Sequence, residues 1–265
     1  MCLAAFALNA HPRFPLVLAA NRDEFFARPA AAMDWWADEP DLLAGRDLTA
    51  GGSWFGLTRS GRLALLTNVR EPGRNDAAAP SRGALVTDWL RSKAPLADFA
   101  AQQLPAGHNG FNLIAADVAS NTWHWLSNRA AAPQQLGPGL HALSNAALDT
   151  PWPKTTGLRT ALADALAQAA DAPALIEQLL AALADDSTAP DTALPDTGVG
   201  LERERLLSPR FIRIPPGPGA AVYGTRCSTV LVREADGATW VVERSVTANG
   251  EPLPRREHRL PRWPV

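Results

Sequence analysis

The sequence is a succession of short apolar segments, each closed by polar or turn-forming residues. Segments of this length are typical of buried β-strands rather than of amphipathic helices. The pattern predicts strands at Cys2–Asn9, Pro15–Asn21, Trp54–Thr58, Arg62–Val69, Phe111–Ala116, Thr122–Ser127, Leu140–Asn145, Phe211–Ile214, Cys227–Glu234 and Thr239–Val246.

Helical spacing of apolar residues separates the blocks of strands. It predicts one helix over residues 81–93 and two more over Thr156–Ala170 and Pro173–Ala184. The segment 185–200 has no periodicity and is predicted to be a flexible loop. Because strands and helices come in blocks rather than in alternation, the order favours an α+β sandwich with helices on the sheet faces. We expect a single domain over residues 1–265.

The amino-acid composition excludes several classes of protein. Apolar residues make up 46% of the chain and charged residues 20%, as in a globular protein. The formal net charge of −2 gives no electrostatic basis for binding nucleic acid. Two cysteines are too few for a disulfide framework, which favours a reducing compartment. No apolar run approaches the roughly 20 residues that span a bilayer, and no Lys or Arg precedes Arg13 as in a signal peptide. We therefore expect a cytoplasmic protein that does not span a membrane.

Common cofactor motifs are absent from the sequence. It contains neither of the Gly-rich loops that bind phosphate groups. The five histidines show none of the close spacings that hold a metal ion. We therefore expect no metal site and no required cofactor. Nine tryptophans against one tyrosine suggest that some indoles line a ligand pocket.

Cys2 stands out because it directly follows the start methionine. A small second residue permits removal of Met1, which would leave Cys2 with a free α-amine of reference pKa about 7.7–8.0 beside a thiol of about 8.5. One residue would then hold both a nucleophile and its general base. The sequence leaves open whether Met1 is removed, and a cysteine at this position also arises by chance.

Polar residues accompany several of the predicted strands. They are Asn21, Arg22, Asp23 and Glu24 after the second strand, Asn68 and Asn145 near the ends of two others, and Arg226 just before Cys227. Side chains at strand ends converge on one rim of a sheet. Asn can donate to an oxyanion, Arg can bind a carboxylate or stabilise a thiolate, and Asp can orient an ammonium group. Together these types favour acyl-transfer chemistry, although each alone also suits a turn or a cap.

A resemblance covers most of the chain. The segments that carry it are MCLAAF, LAANRDEFFARP, LAGRDLTAGGSWFGLT, LALLTNVREP, SRGALV, GFNLIAAD, SNAALDTPWPK and YGTRCSTVLV. In this order they resemble the NRDE family, also called the transport and Golgi organisation family. The resemblance implies a relation to N-terminal nucleophile hydrolases, and hence an αββα sandwich with mostly antiparallel sheets. Among enzymes, the chain resembles bile-salt hydrolases and penicillin V acylases, which also begin Met-Cys.

The resemblance also implies roles for individual residues. Cys2 matches the nucleophile of those amidases, and Asp23 matches the aspartate that would orient its amine. Asn68 and Asn145 match their two asparagines, of which Asn145 would hold the oxyanion with a backbone amide. Arg226 matches a late arginine that would tune the thiolate.

One position departs from the amidase pattern. Those enzymes have an arginine three residues before the aspartate, where this chain has Ala20. Arg22 is close in the sequence but one residue off along the strand, so we expect it to point to the opposite face and not to replace that arginine. The predicted substrate-binding residues are Asn21, Arg22, Glu24, Arg46 and Trp54.

Two functions from different classes remain at this point. The first is a thiol hydrolase in which Cys2 attacks an amide or a thioester. The alternative is a non-catalytic protein that uses the same cleft to bind and traffic haem, acyl-CoA or another lipid, with Cys2 as a thiolate ligand of haem iron. Either way the expected partner is a small molecule. Cys227 is either a small buried residue or, if it lies close to Cys2, half of a redox disulfide.

Overall fold

The structure is a computed structural model that describes residues 2–214 and 221–264, with Cys2 described by its backbone alone. The chain divides into two compact units. The first unit takes in the residues up to Ala27 together with Pro138–Ser144 and Leu148–Arg262. The second takes in Arg28–Gly137, Asn145–Ala147 and the residues from Trp263 onwards.

Strands and helices occur in both units. In chain order the strands are β1 (Cys2–Leu8), β2 (Leu16–Phe25), β3 (Ala30–Trp35), β4 (Leu42–Asp47), β5 (Phe55–Thr58), β6 (Arg62–Asn68), β7 (Phe111–Asp117), β8 (Thr122–Ser127), β9 (Gln134–Gln135), β10 (Gly139–Leu143), β11 (Arg213–Ile214), β12 (Tyr223–Arg233), β13 (Thr239–Ser245) and β14 (Arg256–Leu260). The helices are α1 (Arg82–Arg91), α2 (Leu96–Gln103), α3 (Pro153–Gln168), α4 (Ala172–Leu183) and α5 (Leu201–Leu206), with a short 3₁₀ turn at Asp191–Ala193.

The first unit is built on a sheet with the strand order β10-β1-β2-β12-β13-β14, to which β11 adds beside β12. Alternate residues of the central strands, such as Ala5 and Ala19, pack against α3 and α4 on one face. The N-terminus of α4 is capped by Asp171, whose side chain accepts the Ala174 amide at 2.8 Å. Burying leucines such as Leu179 of α4 stabilises this layer by about 1.5–3 kcal/mol each.

The second unit has a sheet with the strand order β3-β4-β5-β6-β7-β8-β9, so each strand pairs with its neighbour in the sequence. Such an order follows from short connections and turns, of which Gly61 with φ 103° between β5 and β6 is one. Helix α1 packs Leu85 and Trp89 against Leu113 and Ala115 of β7.

The expected fold class, α+β with mostly antiparallel sheets, is confirmed. Every strand pairing in the described parts of the chain is antiparallel. Each unit supplies one β layer with helices on a face of it. Among the described helices, none is long and apolar enough to cross a membrane.

The prediction for the second strand was too short. We expected it to end at Asn21, but β2 continues to Phe25. The reason is that β2 is hydrogen-bonded on both sides, to β1 and to β12, so its polar residues are accommodated inside the sheet. Arg226 likewise lies inside β12 rather than before it. The polar cluster is therefore part of a sheet and not of a loop at its rim.

The segment 185–200 is attached to the residues that follow it. Arg210 forms an ion pair with Asp185, and Arg205 donates to Asp191 at 2.6 Å. The Ala189 amide donates to the hydroxyl of Ser208 at 3.0 Å. These contacts attach the first half of the segment to α5 and the turn that follows it, while the flexibility expected from the sequence stays a prediction.

We predict that Asp185→Asn lowers the free energy of unfolding at pH 7 by about 1 kcal/mol. Hydrogen bonds from Ser187 and Arg210 lower the pKa of Asp185 from 3.8 to about 2. Since the folded pKa is below the unfolded one, this stabilisation is complete above about pH 4 and is lost as the pH falls towards 2. Urea unfolding at several pH values measures it. A difference between the two proteins that persists unchanged at pH 2 would contradict the assignment.

Candidate active site

Cys2, Arg22 and Cys227 lie in one row across three neighbouring strands of the first unit. In the antiparallel register Cys2 is opposite Arg22 on β2, and Arg22 is opposite Cys227 on β12. The sequence separates these residues widely, and the sheet brings them into one line. This row contains the predicted nucleophile Cys2, the predicted substrate-binding residue Arg22, and Cys227.

The row also excludes the redox disulfide that the sequence left open. Neighbouring strands are about 4.8 Å apart, so β1 and β12, with β2 between them, are separated by about 9.6 Å. A disulfide requires Cα atoms within about 7 Å. Cys227 is instead buried in the sheet, with 5% exposure. The alternative of a small buried residue therefore describes it.

Asn21 lies on the face of β2 that is covered by α4. Its Nδ2 donates to the carbonyl of Leu183 at 2.9 Å and to that of Arg210 at 2.7 Å. Its Oδ1 accepts the hydroxyl of Ser228 at 2.6 Å. The side chain is 1% exposed, and these bonds give it an internal role that ties α4 to the sheet. Its contact with a substrate stays a prediction.

Asp23 lies on the same face as Asn21, two residues further along β2. Its Oδ1 accepts the hydroxyl of Thr225 at 2.6 Å, and the same hydroxyl accepts the Ile212 amide at 2.9 Å. With 1% exposure the carboxyl group is held rigidly within the unit. The role expected from the resemblance, orienting an amine at Cys2, is not tested by these contacts.

The expectation that Arg22 points away from the side of the missing arginine was wrong. Because Arg22 is two residues from Ala20, it lies on the same face as Ala20. The arginine that is absent at position 20 is thus matched by one displaced along the same side of β2. With 6% exposure, Arg22 is a buried residue of the sheet.

Arg226 owes its position to a β-bulge. Thr225 pairs with Asp23 and Cys227 pairs with Arg22, which leaves Arg226 as the extra residue. Its Nη1 donates to the carbonyl of Phe25 at 3.1 Å, and its guanidinium lies 5.0 Å from the centre of the Phe26 ring. A β-bulge changes the direction of a side chain relative to a regular strand. No pattern in the sequence predicted this bulge.

The charges around Arg226 show which groups are close to it. Burial lowers the pKa of Arg226 most, and the positive charge of Arg22 lowers it further. Cys227 and Glu24 act in the opposite direction. Glu24 itself accepts the amide of Phe25 through Oε1 at 2.8 Å. The strand pair therefore carries two guanidinium groups whose fields overlap, which is a favourable setting for an anion.

Asn68 and Asn145 meet in the second unit. Asn145 donates through Nδ2 to the carbonyl of Asn68 at 2.8 Å, and its own carbonyl accepts the amide of Arg70 at 2.8 Å. Asn145 is 1% exposed. The two asparagines that the resemblance singled out are thus in contact, while their chemical role stays a prediction.

Asn112 is a positioning residue that the sequence analysis missed. It is 0% exposed on β7, and its Nδ2 donates to Thr67 at 3.2 Å and to the carbonyl of Ala146 at 2.9 Å. Its Oδ1 accepts the indole N–H of Trp125 at 3.1 Å. Asn112 thereby fixes the residues next to Asn68 and Asn145. In the sequence, Asn112 could have been noticed as the one polar residue of the apolar run FNLIAA.

Arg46 and Trp54 have local partners in the second unit. Arg46 pairs with Asp38 at 2.7 Å, which raises the pKa of Arg46, and it lies 4.1 Å from the centre of the Trp36 ring. The indole of Trp54 lies over Gly45, where a Cβ would be only 2.2 Å from Cζ2 of the ring. The glycine is thus required by the position of Trp54. Substrate contacts of both residues stay predictions.

Across residues 2–214 and 221–264, no group of three or more His, Cys, Asp or Glu residues is arranged to hold a metal ion.

Two solved structures are similar to the chain at low sequence identity. One is the Caenorhabditis elegans ortholog of the N-acylethanolamine-hydrolyzing acid amidase, with a TM-score of 0.49 and 16% identity over 87% of this chain and 92% of that one. The other is the C2A mutant of the conjugated bile acid hydrolase from Clostridium perfringens, with a TM-score of 0.47 and 6% identity over 98% of this chain and 97% of that one.

Similarity to curated proteins is much stronger. The Transport and Golgi organization protein 2 homolog of Bos taurus is 37% identical over 267 residues, which cover 93% of each chain. The Homo sapiens homolog is 36% identical over 262 residues, again 93% of each. The family description Transport and Golgi organisation 2 matches residues 1–248. The chain belongs to the Transport and Golgi organisation 2 family.

Proposed function

We propose that this chain is a cysteine hydrolase that cleaves an amide or a thioester, with Cys2 as its nucleophile. The observation that carries the proposal is the strand register, in which Cys2 is opposite Arg22 and the bulged Arg226 follows beside it. Guanidinium groups near a thiol favour the thiolate, which is the reactive form.

The proposed reaction has two steps. The thiolate of Cys2 attacks the carbonyl carbon, and the leaving amine or thiol takes a proton from the α-ammonium group that Cys2 has once Met1 is removed. Water then attacks the acyl-enzyme, its proton passes to the α-amine, and the carboxylic acid leaves. Orientation of the amine by Asp23 and stabilisation of the oxyanion by Asn145 remain predictions within this scheme.

Intact-mass measurement tests the proposal. We expect the purified protein to lack Met1 and to gain one acyl group from the decanoyl thioester of N-acetylcysteamine. The adduct should be absent in Cys2→Ala and present in Cys227→Ser, a matched control because Cys227 is the second cysteine of the chain. Equal labelling of Cys2→Ala, or retention of Met1 without any adduct, would overturn the proposal.

A second candidate function, non-catalytic binding of an acyl chain, is favoured by a cavity in the first unit. The cavity has a volume of about 240 Å³ and is lined by apolar side chains that include Phe26, Phe211 and Ile212. Sites for drug-sized ligands usually start at about 300 Å³, so this volume suits an acyl chain, as in acyl-CoA, better than haem. In the same mass experiment this candidate predicts a non-covalent complex and no adduct.

A further inference from the structure

The second unit contains a cavity of about 560 Å³. The residues that line it do not include any of the proposed catalytic residues. The cavity lies between the strands β6–β9 and the start of α2. Its polar wall includes Arg62, Asp117, Thr122, His124 and Gln135. The start of α2 contributes apolar residues to the lining, which include Pro95, Leu96 and Ala97. A cavity lined by both polar and apolar residues suits a small ligand that is itself polar at one end.

Arg62 carries donors that the protein does not use. Its guanidinium lies 4.0 Å from the centre of the Trp89 ring, and its Nη2 donates to the carbonyl of Ala94 at 2.9 Å. This is one of the five N–H donors of the side chain. Its Nη1 is buried and has no hydrogen-bond acceptor among the described residues. A buried donor without an acceptor is unfavourable, so the side chain is poised to take an acceptor from a ligand.

Asp117 supplies a negative charge on the same wall. It is opposite Arg62 in the pairing of β6 with β7, and its negative charge opposes the lowering of the Arg62 pKa that burial causes. Its Oδ1 accepts the amide of Ser120 at 3.3 Å. Burial lowers the pKa of His124, which keeps that ring neutral at neutral pH. The charged groups that line the cavity are therefore one guanidinium and one carboxylate.

We propose that this cavity binds a free α-amino acid with a large apolar side chain. The carboxylate of the ligand accepts from Arg62, and its ammonium group donates to Asp117. The side chain packs against Pro95, Leu96 and Ala97. A ligand with only a negative charge would face Asp117, and one with only a positive charge would face Arg62, so the pair selects a zwitterion.

Calorimetric titration of the full-length protein with L-phenylalanine tests the ligand class. Its two partial analogues are 3-phenylpropionate, which lacks the ammonium group, and 2-phenylethylamine, which lacks the carboxylate. We expect L-phenylalanine to bind and each analogue to bind at least about 10-fold more weakly. Absence of binding at millimolar L-phenylalanine, or equal affinity of either analogue, would overturn the proposal.

Variants test the two charged residues. Arg62→Gln and Asp117→Asn should each weaken binding of L-phenylalanine about 10-fold. The matched control is Arg59→Gln, an exposed arginine that pairs with Asp41 at 3.8 Å outside the cavity wall. It should bind like the unchanged protein. Asp117→Asn keeps the test decisive if loss of Arg62 prevents folding, and unaltered affinity in Asp117→Asn would contradict the assignment. Because acylation of Cys2 is measured separately, the two proposals fail independently.

Discussion

Replacing Cys2 with serine is expected to lower the turnover of the N-acetylcysteamine thioester by about 10³-fold or more. A serine hydroxyl is a far weaker nucleophile than a thiolate at neutral pH, and positive charges that stabilise a thiolate do not ionise a hydroxyl to the same extent. Cys2 lies in the first strand, where serine preserves the backbone pairing with Arg22. The melting temperature of Cys2→Ser should therefore equal that of the unchanged protein within experimental error.

The measurement is steady-state hydrolysis, followed by release of the free thiol. Cys227→Ser serves as the control, because Cys227 is opposite Arg22 on the other side of β2 and has the same thiol chemistry. It should retain most of the turnover. If Cys2→Ser hydrolyses the thioester at the rate of the unchanged protein, Cys2 is not the nucleophile, and acyl-chain binding becomes the better account of this fold.

Fold class could be predicted because most strands of this protein are apolar on both faces or alternate cleanly. Three of the strands that escaped prediction depart from these patterns in different ways. β3 is an edge strand with a mixed burial pattern, and β14 is an edge strand of charged residues. β4 contains Gly45, which a strand pattern disfavours and which is required here by the packing of Trp54. These are features of tertiary context, which local propensity does not record.

The candidate site could be predicted only as a set of residues. In the sequence, Asn21–Glu24 forms one polar cluster. In β2, however, successive side chains alternate between the two faces, so Asn21 and Asp23 lie on one face and Arg22 on the other. The bulge that places Arg226 depends on how β12 pairs with β2, which a single strand sequence does not encode. The types of the side chains could thus be predicted from the sequence. Their distribution over the two faces of the sheet depends on the pairing register of the strands, which the sequence alone does not show.

Asn21→Ala is expected to lower the free energy of unfolding by about 3–5 kcal/mol. The variant removes both donors to the carbonyls of Leu183 and Arg210 and leaves the Ser228 hydroxyl without its acceptor. Each buried polar group left without a partner costs about 1–3 kcal/mol. Urea unfolding measures the loss. The matched control is Glu24→Ala on the same strand, whose carboxylate accepts the amide of the next residue, Phe25.

The control variant should change the free energy of unfolding by no more than about 0.5 kcal/mol. Combining Asn21→Ala with Ser228→Ala should cost less than the sum of the two single changes, because both remove the same hydrogen bond. These results would assign Asn21 to the internal framework that holds α4 on the sheet. A loss below about 1 kcal/mol, together with impaired hydrolysis, would instead favour the substrate contact predicted from the sequence. The experiment thus separates the two roles of the residue that begins the NRDE run.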